Sequence, residues 1–329
     1  MENIKDIISE IYQVGGSVRD EILGKTPKDY DYTTPLTPDE IELAIKSKGK
    51  RAYLTGKRFG TIGCKLNGNL IEITTFRKES YASKSRKPVV EYVTNLKEDL
   101  SRRDFTINSM AKDMEGKIID YFGGIDDINN KIIRCVGKPK ERFKDDPLRI
   151  LRACRFASQL GFKIESETEK YINKMKFELL NVSKERWINE LNGILLSDNP
   201  KIGLNYLMEN DIFNVIIPEL SIQYNLDQEN SHHTLDLWNH TLSVIDNLPK
   251  DLILRWAGLF HDIGKPFVKK INKNYYYNYI DHEKVSAEIV LKYASYFKMS
   301  NEWKDTVYDL VLNHMKETSP LKEADNKSK

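Results

Sequence analysis

Two aspartates, Asp29 and Asp31, stand two residues apart at the start of a β-rich run, Tyr30–Thr34. Side chains at i and i+2 of a strand share a face, so the spacing predicts two carboxylates side by side. Like charges this close are costly unless a cation neutralises them. Hard oxygen donors suit Mg²⁺, which keeps waters and substrate phosphates in its shell. Glu72, in a second β-rich run at Leu70–Phe76, is the candidate third carboxylate of a two-metal site. Its plainer reading is a surface glutamate on an edge strand. Upstream, Val14-Gly15-Gly16-Ser17-Val18-Arg19-Asp20 follows a strand and opens a helix. Two glycines let backbone approach an anion, the helix start offers free N–H groups, and Arg19 adds a fork for phosphate oxygens. An anion-binding turn beside paired carboxylates is what metal-assisted phosphoryl or nucleotidyl transfer needs.

A second set of chemistry-bearing residues lies late in the chain. All 6 histidines follow residue 231: His232, His233, His240, His261, His282 and His314. This clustering points to a metal or acid–base site in a C-terminal unit.

The elements that position these residues fall into two kinds. Over the first 135 residues, β-rich runs at Ile11–Val14, Tyr30–Thr34, Gly60–Leu66, Leu70–Phe76 and Ile118–Asp120 alternate with helical stretches. Asn67-Gly68 reads as a two-residue hairpin turn, and Pro35–Ser47 as a turn followed by a helix. From Asp146 onward nearly everything reads as helix. Asp146-Pro147 predicts an N-cap with proline at the first helical position. Ile150, Ala153, Cys154 and Ala157 then form one apolar stripe. The stretch Lys78–Val90 is basic, serine-rich and broken by Pro88, which predicts a mobile loop beside the site. The tail Glu317–Lys329 reads as polar and frayed.

With 329 residues, 40% hydrophobic and 30% charged, the chain suits two or three domains and excludes a disordered class. No apolar run approaches the roughly 20 residues that span a bilayer, so no membrane partner is expected. Met1–Gln13 has acidic residues and no apolar signal-peptide core. Cys64, Cys135 and Cys154 are odd in number and far apart, which suits buried residues in a reducing cytoplasm. The net charge of +2 hides an asymmetry. Basic residues cluster at Lys46, Lys48, Lys50, Arg51, Lys57 and Arg58, and again at Arg77, Lys78, Lys84, Arg86 and Lys87. Such clusters attract phosphates or simply make a solvated surface.

The run GGSVRDEILGKTPKDYDYTT resembles the first signature of class II CCA-adding tRNA nucleotidyltransferases and the related bacterial poly(A) polymerases. Further stretches resemble that family's signatures in order. Arg102-Arg103-Asp104-Phe105-Thr106-Ile107-Asn108-Ser109-Met110-Ala111 is similar to RRDFTxNAMA. Asp120-Tyr121-Phe122-Gly123-Gly124, with Asp126 and Asp127, is similar to a D-x-x-G-G turn. Asp145-Asp146-Pro147-Leu148-Arg149-Ile150-Leu151-Arg152-Ala153 is similar to EDPLRxLRA, and Ser183-Lys184-Glu185-Arg186 to a later S-x-E-R element. Ser109 and Asp145 are mild departures from alanine and glutamate.

The resemblance implies Mg²⁺ on Asp29 and Asp31, the triphosphate on Gly15, Gly16 and Arg19, and ribose and phosphates near Arg103, Asp104 and Asn108. It also implies base reading by Asp146 and Arg149, with Arg152 and Arg155 on the same nucleotide-binding helix, and a role for the loop near residues 78–90 in switching from C to A. Base reading also follows from hydrogen-bond chemistry. An aspartate accepts and an arginine donates, and on one helix face the pair matches the Watson–Crick edge of cytosine or adenine. Guanine and uracil present the reverse pattern and would leave buried polar groups unpaired, at about 1–3 kcal/mol each.

Trp256–Pro266 predicts an apolar helix ending in His261-Asp262-x-Gly264-Lys265. With His240 upstream and His282 and His314 downstream, it resembles the HD phosphohydrolase superfamily. Imidazole and carboxylate donors suit Ni²⁺, Mn²⁺, Fe²⁺ or Zn²⁺, and the resemblance implies phosphoester hydrolysis at RNA 3′ ends. A metal-free spacer or RNA clamp is the alternative. The family's last aspartate is not evident, and Asp305 and Asp309 are the candidates.

The expected fold is an α/β nucleotidyltransferase domain of the polymerase-beta-like type with a small mixed sheet, followed by an all-α body with an HD domain. Expected boundaries are 1–140, 141–220 for nucleotide selection and RNA binding, and 221–329. The expected activity is template-free CTP(ATP):tRNA nucleotidyl transfer building the 3′-CCA end, with tRNA, CTP and ATP as partners. A poly(A) polymerase, or an enzyme adding only CC or only A, shares these motifs. An HD-domain RNA hydrolase whose N-terminal half binds RNA is the competing class.

Overall fold

In the computed structural model the described residues are 4–80, 89–224, 226, 236–271 and 277–328. They form two compact units, residues 1–146 with 165–168, and 147–164 with 169–329. No helix among them is long and apolar enough to cross a membrane.

The first unit is built on a mixed sheet. Its strands are β1 (Tyr12–Val14), β2 (Asp31–Thr34), β3 (Ala52–Tyr53), β4 (Thr61–Leu66), β5 (Asn69–Thr75), β8 (Met110–Lys112) and β9 (Ile118–Asp120). A separate ribbon pairs β6 (Arg77–Ser80) with β7 (Val89–Tyr92). Five helices accompany them: α1 (Gly16–Ile22), α2 (Pro38–Ser47), α3 (Leu96–Ser101), α4 (Gly124–Asn129) and α5 (Pro139–Asp145). The sheet order is β3-β4-β5-β2-β1-β8-β9. Every neighbouring pair is antiparallel except β2 with β5, which is parallel.

Local chemistry explains these elements. Asn67 and Gly68 both take positive φ, 50° and 85°, so the β4–β5 hairpin closes on a type I′ turn. Thr37 and Glu40 cap α2 reciprocally, with Pro38 in its first turn. Ile41 and Ile45 of α2 are fully buried on one sheet face with Ile62, Cys64, Ile71 and Ile73. The other face buries Val14, Phe76, Leu96, Leu100 and Ala111. Each isoleucine, leucine, valine or phenylalanine among them contributes about 1.5–3 kcal/mol on leaving water. Cys64, Cys135 and Cys154 are buried and form no disulfide among the described residues.

The second unit is helical. It holds α6 (Arg149–Leu160), α7 (Ser166–Met175) from residue 169 on, α8 (Lys184–Leu195), α9 (Pro200–Glu209), α10 (Phe213–Ile216) and α11 (Pro218–Ser221). It continues with α12 (Leu237–Asn247), α13 (Leu252–Phe260), α14 (Lys265–Val268), α15 (His282–Tyr296), α16 (Asn301–Leu312) and α17 (Pro320–Asn326). Trp256 stacks on Phe260, meets Trp303 edge-on, and donates from Nε1 to Asn192 Oδ1 at 2.8 Å. Arg255 is buried with its guanidinium donating to the carbonyls of Leu195, Ser197 and Pro249, so α13 is anchored to the end of α8.

Four local expectations are corrected. α6 begins at Arg149, and Asp146 is an extended residue after α5 (φ −145°, ψ 103°). Proline disfavours helical backbone in the residue before it, so Asp146 stays outside the helix. Asp29 precedes β2 in a bend, so it and Asp31 are not two positions of one regular strand. The flanks of the expected loop 78–90 pair as β6 and β7, and the central residues 81–88 lie outside the described set. The tail contains α17, capped by Ser319 and begun by Pro320, with Leu321 and Ala324 buried.

Candidate active sites

The first site lies on one row of the sheet. Val14, Asp31, Glu72 and Gly63 are successive register partners across β1, β2, β5 and β4, so Asp31 and Glu72 are nearest neighbours on one face. Asp29, Asp31 and Glu72 are all exposed. Their carboxylates do not gather within 4.8 Å as a group of three among the described residues. Mutual repulsion keeps such groups spread until a cation joins them. Although Asp31 reaches solvent, the protein packed around its carboxyl costs it hydration, and this first, then the charge of Asp29, push it above its usual range, with Arg103 opposing them. The all-oxygen donor set fits a hard divalent cation.

Above this row sits a positive fork. Gly15 takes φ 76°, and a Cβ there would stand 3.0 Å from Arg103 Nη1, so glycine is required for the arginine to lie against this turn. Arg103 Nε is buried and has no hydrogen-bond partner among the described residues. Burial pulls its guanidinium pKa down. An orphaned buried cationic donor of this kind fits an anionic ligand.

A hydrogen-bonded chain then runs outward. Arg19 Nη1 donates to Asn108 Oδ1 at 2.7 Å, Asn108 Nδ2 donates to Asp104 Oδ1 at 3.1 Å, and Phe105 N donates to the same oxygen at 2.8 Å. Asp104 and Asn108 are buried. Gly16 lies against the Arg19 guanidinium, 3.4 Å from a would-be Cβ. The D-x-x-G-G stretch supports this chain from behind. Asp120 accepts from the backbone N–H of Phe122, Gly124 and Ile125. A Cβ on Gly124 would stand 2.4 Å from Thr106 O, so the glycine lets α4 pack under the turn carrying Asn108. Asp127 fixes the same turn by accepting from Thr106 Oγ1 at 2.6 Å.

Sequence reasoning missed Asp99, which is wholly buried on α3. Its Oδ1 accepts from Arg77 N at 3.2 Å and from Arg102 Nε at 3.0 Å, and its Oδ2 is 3.6 Å from Arg103 Nη2. Burial works against ionisation, but Arg102 and Arg103 hold its carboxyl below the usual range. Its signal was the Asp99 to Arg103 spacing, four residues on the approach to a helix end.

The remaining nucleotide-binding candidates divide between the units, Asp146 in the first and Arg149, Arg152 and Arg155 in the second. Arg149 is buried and Asp146 half-buried. Arg155 lies over Phe156, and its Nε donates to Glu190 Oε2 at 2.5 Å, so it ties α6 to α8. Arg152 also lies over Phe156.

The second site belongs to the second unit and is more tightly gathered. His240, His261 and Asp262 form one group of three donors within 4.8 Å, and Asp262, His282 and His314 form another. All five are buried. His282 Nε2 is 3.1 Å from Asp262 Oδ1, and His261 Nε2 is 3.2 Å from Asp262 Oδ2. Each imidazole turns Nδ1 toward a backbone carbonyl: His261 to Gly258, His282 to Tyr279, His314 to Val311 and His240 to Ser328. An imidazole that donates from Nδ1 presents Nε2 inward as an acceptor once the inner proton is displaced, which is the arrangement of metal-ligating histidines. Two Nε2 pairs then face each other at 3.3 Å and 3.2 Å. A proton or a metal ion between the nitrogens satisfies such pairs, and the imidazole and carboxylate donor set fits a transition metal.

An aspartate that the sequence reading passed over, Asp325 on α17, adjoins the cluster. Its Oδ1 is 3.1 Å from His240 Nε2, whereas Asp305 and Asp309 are exposed on α16. The Ser319-Pro320 helix start was the signal that could have found it. Burial opposes the charge on Asp262, but His261 and Lys265 hold its carboxyl well below the usual range. Lys265 Nζ lies 2.7 Å from Asp262 Oδ2. Burial would depress His240, yet hydrogen bonds to Asp262 and Asp325 raise it to about 9. Burial and His261 lower His314 to about 4.

Gly264 makes this closeness possible. A Cβ there would stand 2.5 Å from His282 O and 2.7 Å from Ser286 N, so the glycine lets α15 bring His282 to Asp262. An open cleft of about 570 Å³ leads to the cluster, lined on one side by Ile280, Leu312 and Met315. His232 and His233 lie outside the described residues.

Comparison with known proteins follows this division. Residues 11–134 match the Poly A polymerase head domain, residues 161–223 the probable RNA and SrmB-binding site of polymerase A, and residues 230–328 the HD domain. The chain is 44% identical over 214 residues to a CCA-adding enzyme of Ligilactobacillus salivarius, covering 65% of this chain and 52% of that one. It is 36% identical over 304 residues to a CCA-adding enzyme of Staphylococcus epidermidis, covering 86% and 75%. Several of the matched relatives are thus spanned over only about half their length. Among solved structures, the Bacillus stearothermophilus CCA-adding enzyme in complex with CTP aligns with a TM-score of 0.66 at 27% identity. That alignment covers 97% of this chain and 76% of that one.

Proposed function

Because the chain belongs to the family of CCA-adding enzymes, we propose that it is a template-independent nucleotidyltransferase that builds or repairs the 3′-CCA end of tRNA from CTP and ATP. The observation that carries this reading is that Arg103 Nε is buried and unpartnered among the described residues, while its Nη1 lies against Gly15 and its charge acts on Asp31, the register partner of Glu72. We assign residues up to about 140 to catalysis, about 141–220 to base selection and RNA binding, and the rest to the HD domain. Three thiols outside any disulfide support a reducing compartment such as the cytoplasm.

In this reading Gly15 and Gly16 admit the triphosphate close to backbone, and Arg103 and Arg19 donate to its oxygens. Asp104 and Asn108, locked by the Arg19 chain, meet the ribose. Asp146 and Arg149 supply the acceptor and donors for a cytosine or adenine edge. The tRNA 3′-hydroxyl attacks the α-phosphate in line and pyrophosphate leaves. A divalent cation on Asp29 and Asp31, Mg²⁺ in our reading, would supply neutralisation of the charge that develops.

The test uses purified protein with Mg²⁺ and tRNA transcripts ending before CCA, after C and after CC. CTP, ATP, both, or GTP and UTP are supplied and the products sequenced. Ordered C, C, A addition that then stops supports the proposal. A single A, CC alone, or a long A tail keeps the chemistry and makes the enzyme a partial adder or a poly(A) polymerase. No incorporation overturns it.

A second activity is favoured by the converging Nε2 atoms of the HD cluster. A bound transition metal there would supply an activated water for phosphoester hydrolysis. Alanine at Asp29 and Asp31 should remove nucleotide addition and spare hydrolysis. Alanine at His261 and Asp262 should do the reverse.

A further inference from the structure

We propose that Asp99 is a positioning residue of the nucleotide site, acting through Arg103; this rests on the nucleotidyltransferase reading above. Asp99 is wholly buried, and among its partners are groups from three segments. From the ribbon it accepts Arg77 N at 3.2 Å. From β2, the strand that carries Asp31, it meets Thr33 Oγ1 at 3.4 Å. From its own helix end it pairs with Arg102 at 3.0 Å and Arg103 at 3.6 Å.

These contacts are unequal in a telling way. Arg102 donates to Oδ1 from Nε, and its Nη2 lies 3.0 Å from the same oxygen. Arg103 reaches Oδ2 only with Nη2, while its Nη1 lies against Gly15 and its Nε has no partner among the described residues. Asp99 therefore holds Arg103 by one end. Among the described residues Nε is left without an acceptor, and Nη1 lies on the Gly15 side. A guanidinium carries five N–H donors in a rigid plane, so fixing one end fixes the direction of the others. The same carboxylate is bonded to Arg77 N, so the base of the β6–β7 ribbon and the phosphate-facing arginine share one anchor. A charge paired and buried in this manner acts on the reaction by orienting a ligand-contacting group.

The experiment compares wild type, Asp99→Asn, Arg103→Gln and the double variant, as full chains. It measures KM and kcat for CTP, equilibrium binding of a non-hydrolysable CTP analogue, and the melting temperature. A misaimed donor costs up to about 10²-fold. Asp99→Asn is expected to raise the CTP KM and weaken analogue binding by about 10- to 100-fold, with a smaller change in kcat. In the Arg103→Gln background the same change should add little, because the residue it aims is gone. A melting temperature that falls while KM and binding stay put overturns the inference, as does full additivity in the double variant. Asp99→Glu keeps the charge and serves in the same cycle if Asp99→Asn does not fold. If neither folds, Asp99 is a structural carboxylate only. Failure of wild type to add any nucleotide sinks the functional reading instead, so the two failures are distinguishable.

Discussion

Gly264→Ala separates the two halves of the histidine cluster. Gly264 sits at φ −81° and ψ −18°, a conformation alanine adopts freely, so the whole effect is steric. The added methyl would stand 2.5 Å from His282 O, 2.7 Å from Ser286 N and 2.9 Å from Ser286 Oγ. Reaching an ordinary 3.4 Å contact requires the first turn of α15 to retreat by about 0.9 Å. Metal coordination tolerates deviations of about 0.2 Å, so His282 would leave the group it forms with Asp262 and His314. His240 and His261 are carried by α12 and the end of α13, so they should keep their geometry about Asp262 Oδ2. Overpacking of this kind costs about 1–3 kcal/mol, which lowers the melting temperature of a unit this size by about 2–12 °C. The assay is equilibrium dialysis against Mn²⁺ with elemental analysis, alongside thermal melting and CTP incorporation. Metal content at the cluster should fall and nucleotide addition should persist. Unchanged Mn²⁺ binding together with an unchanged melting temperature would refute the steric argument.

Two further outcomes follow from the same geometry. Asp325→Asn removes the carboxylate 3.1 Å from His240 Nε2, and chelator competition should show metal affinity reduced by about 10- to 100-fold with CTP incorporation unchanged. Asp99 supplies a pH signature. Burial opposes its charge, but its arginines depress its folded pKa. Its stabilising contribution is therefore complete above the ordinary value near 3.8 and is lost as pH falls through the folded one. Melting temperature against pH should show a steeper acid limb in wild type than in Asp99→Asn.

Much of the first site could be read from local pattern. Gly15, Gly16 and Arg19 lie within five positions of one turn, and Asn67-Gly68 fixes a hairpin through backbone preference alone. What could not be read locally was the parallel register that sets Asp31 beside Glu72, because no short-range signal links residues separated by α2, β3 and β4. Asp99 hid for a related reason. Its importance lies in being buried among arginines, and burial of a single charged residue has no periodicity to betray it. Asp325 was passed over because the tail is polar in composition, although its capping residues follow helix chemistry closely. The four imidazoles were recognisable as a set, but their division into two groups about Asp262 is a property of how α12, α13, α15 and the end of α16 converge.

The parallel pairing of β2 with β5 also bears on how the protein comes to be folded. The β4–β5 hairpin closes across two residues and can form in microseconds. Its partner strand β2 must be brought back over the whole α2–β4 excursion, and non-local pairing of this kind is slow because loop closure comes before any contact rewards it. Asp31 and Glu72 therefore meet only when the sheet is nearly complete. During refolding, competence to bind a nucleotide should trail the appearance of helix and hairpin signals, so that CTP reports the last step of the first unit's assembly.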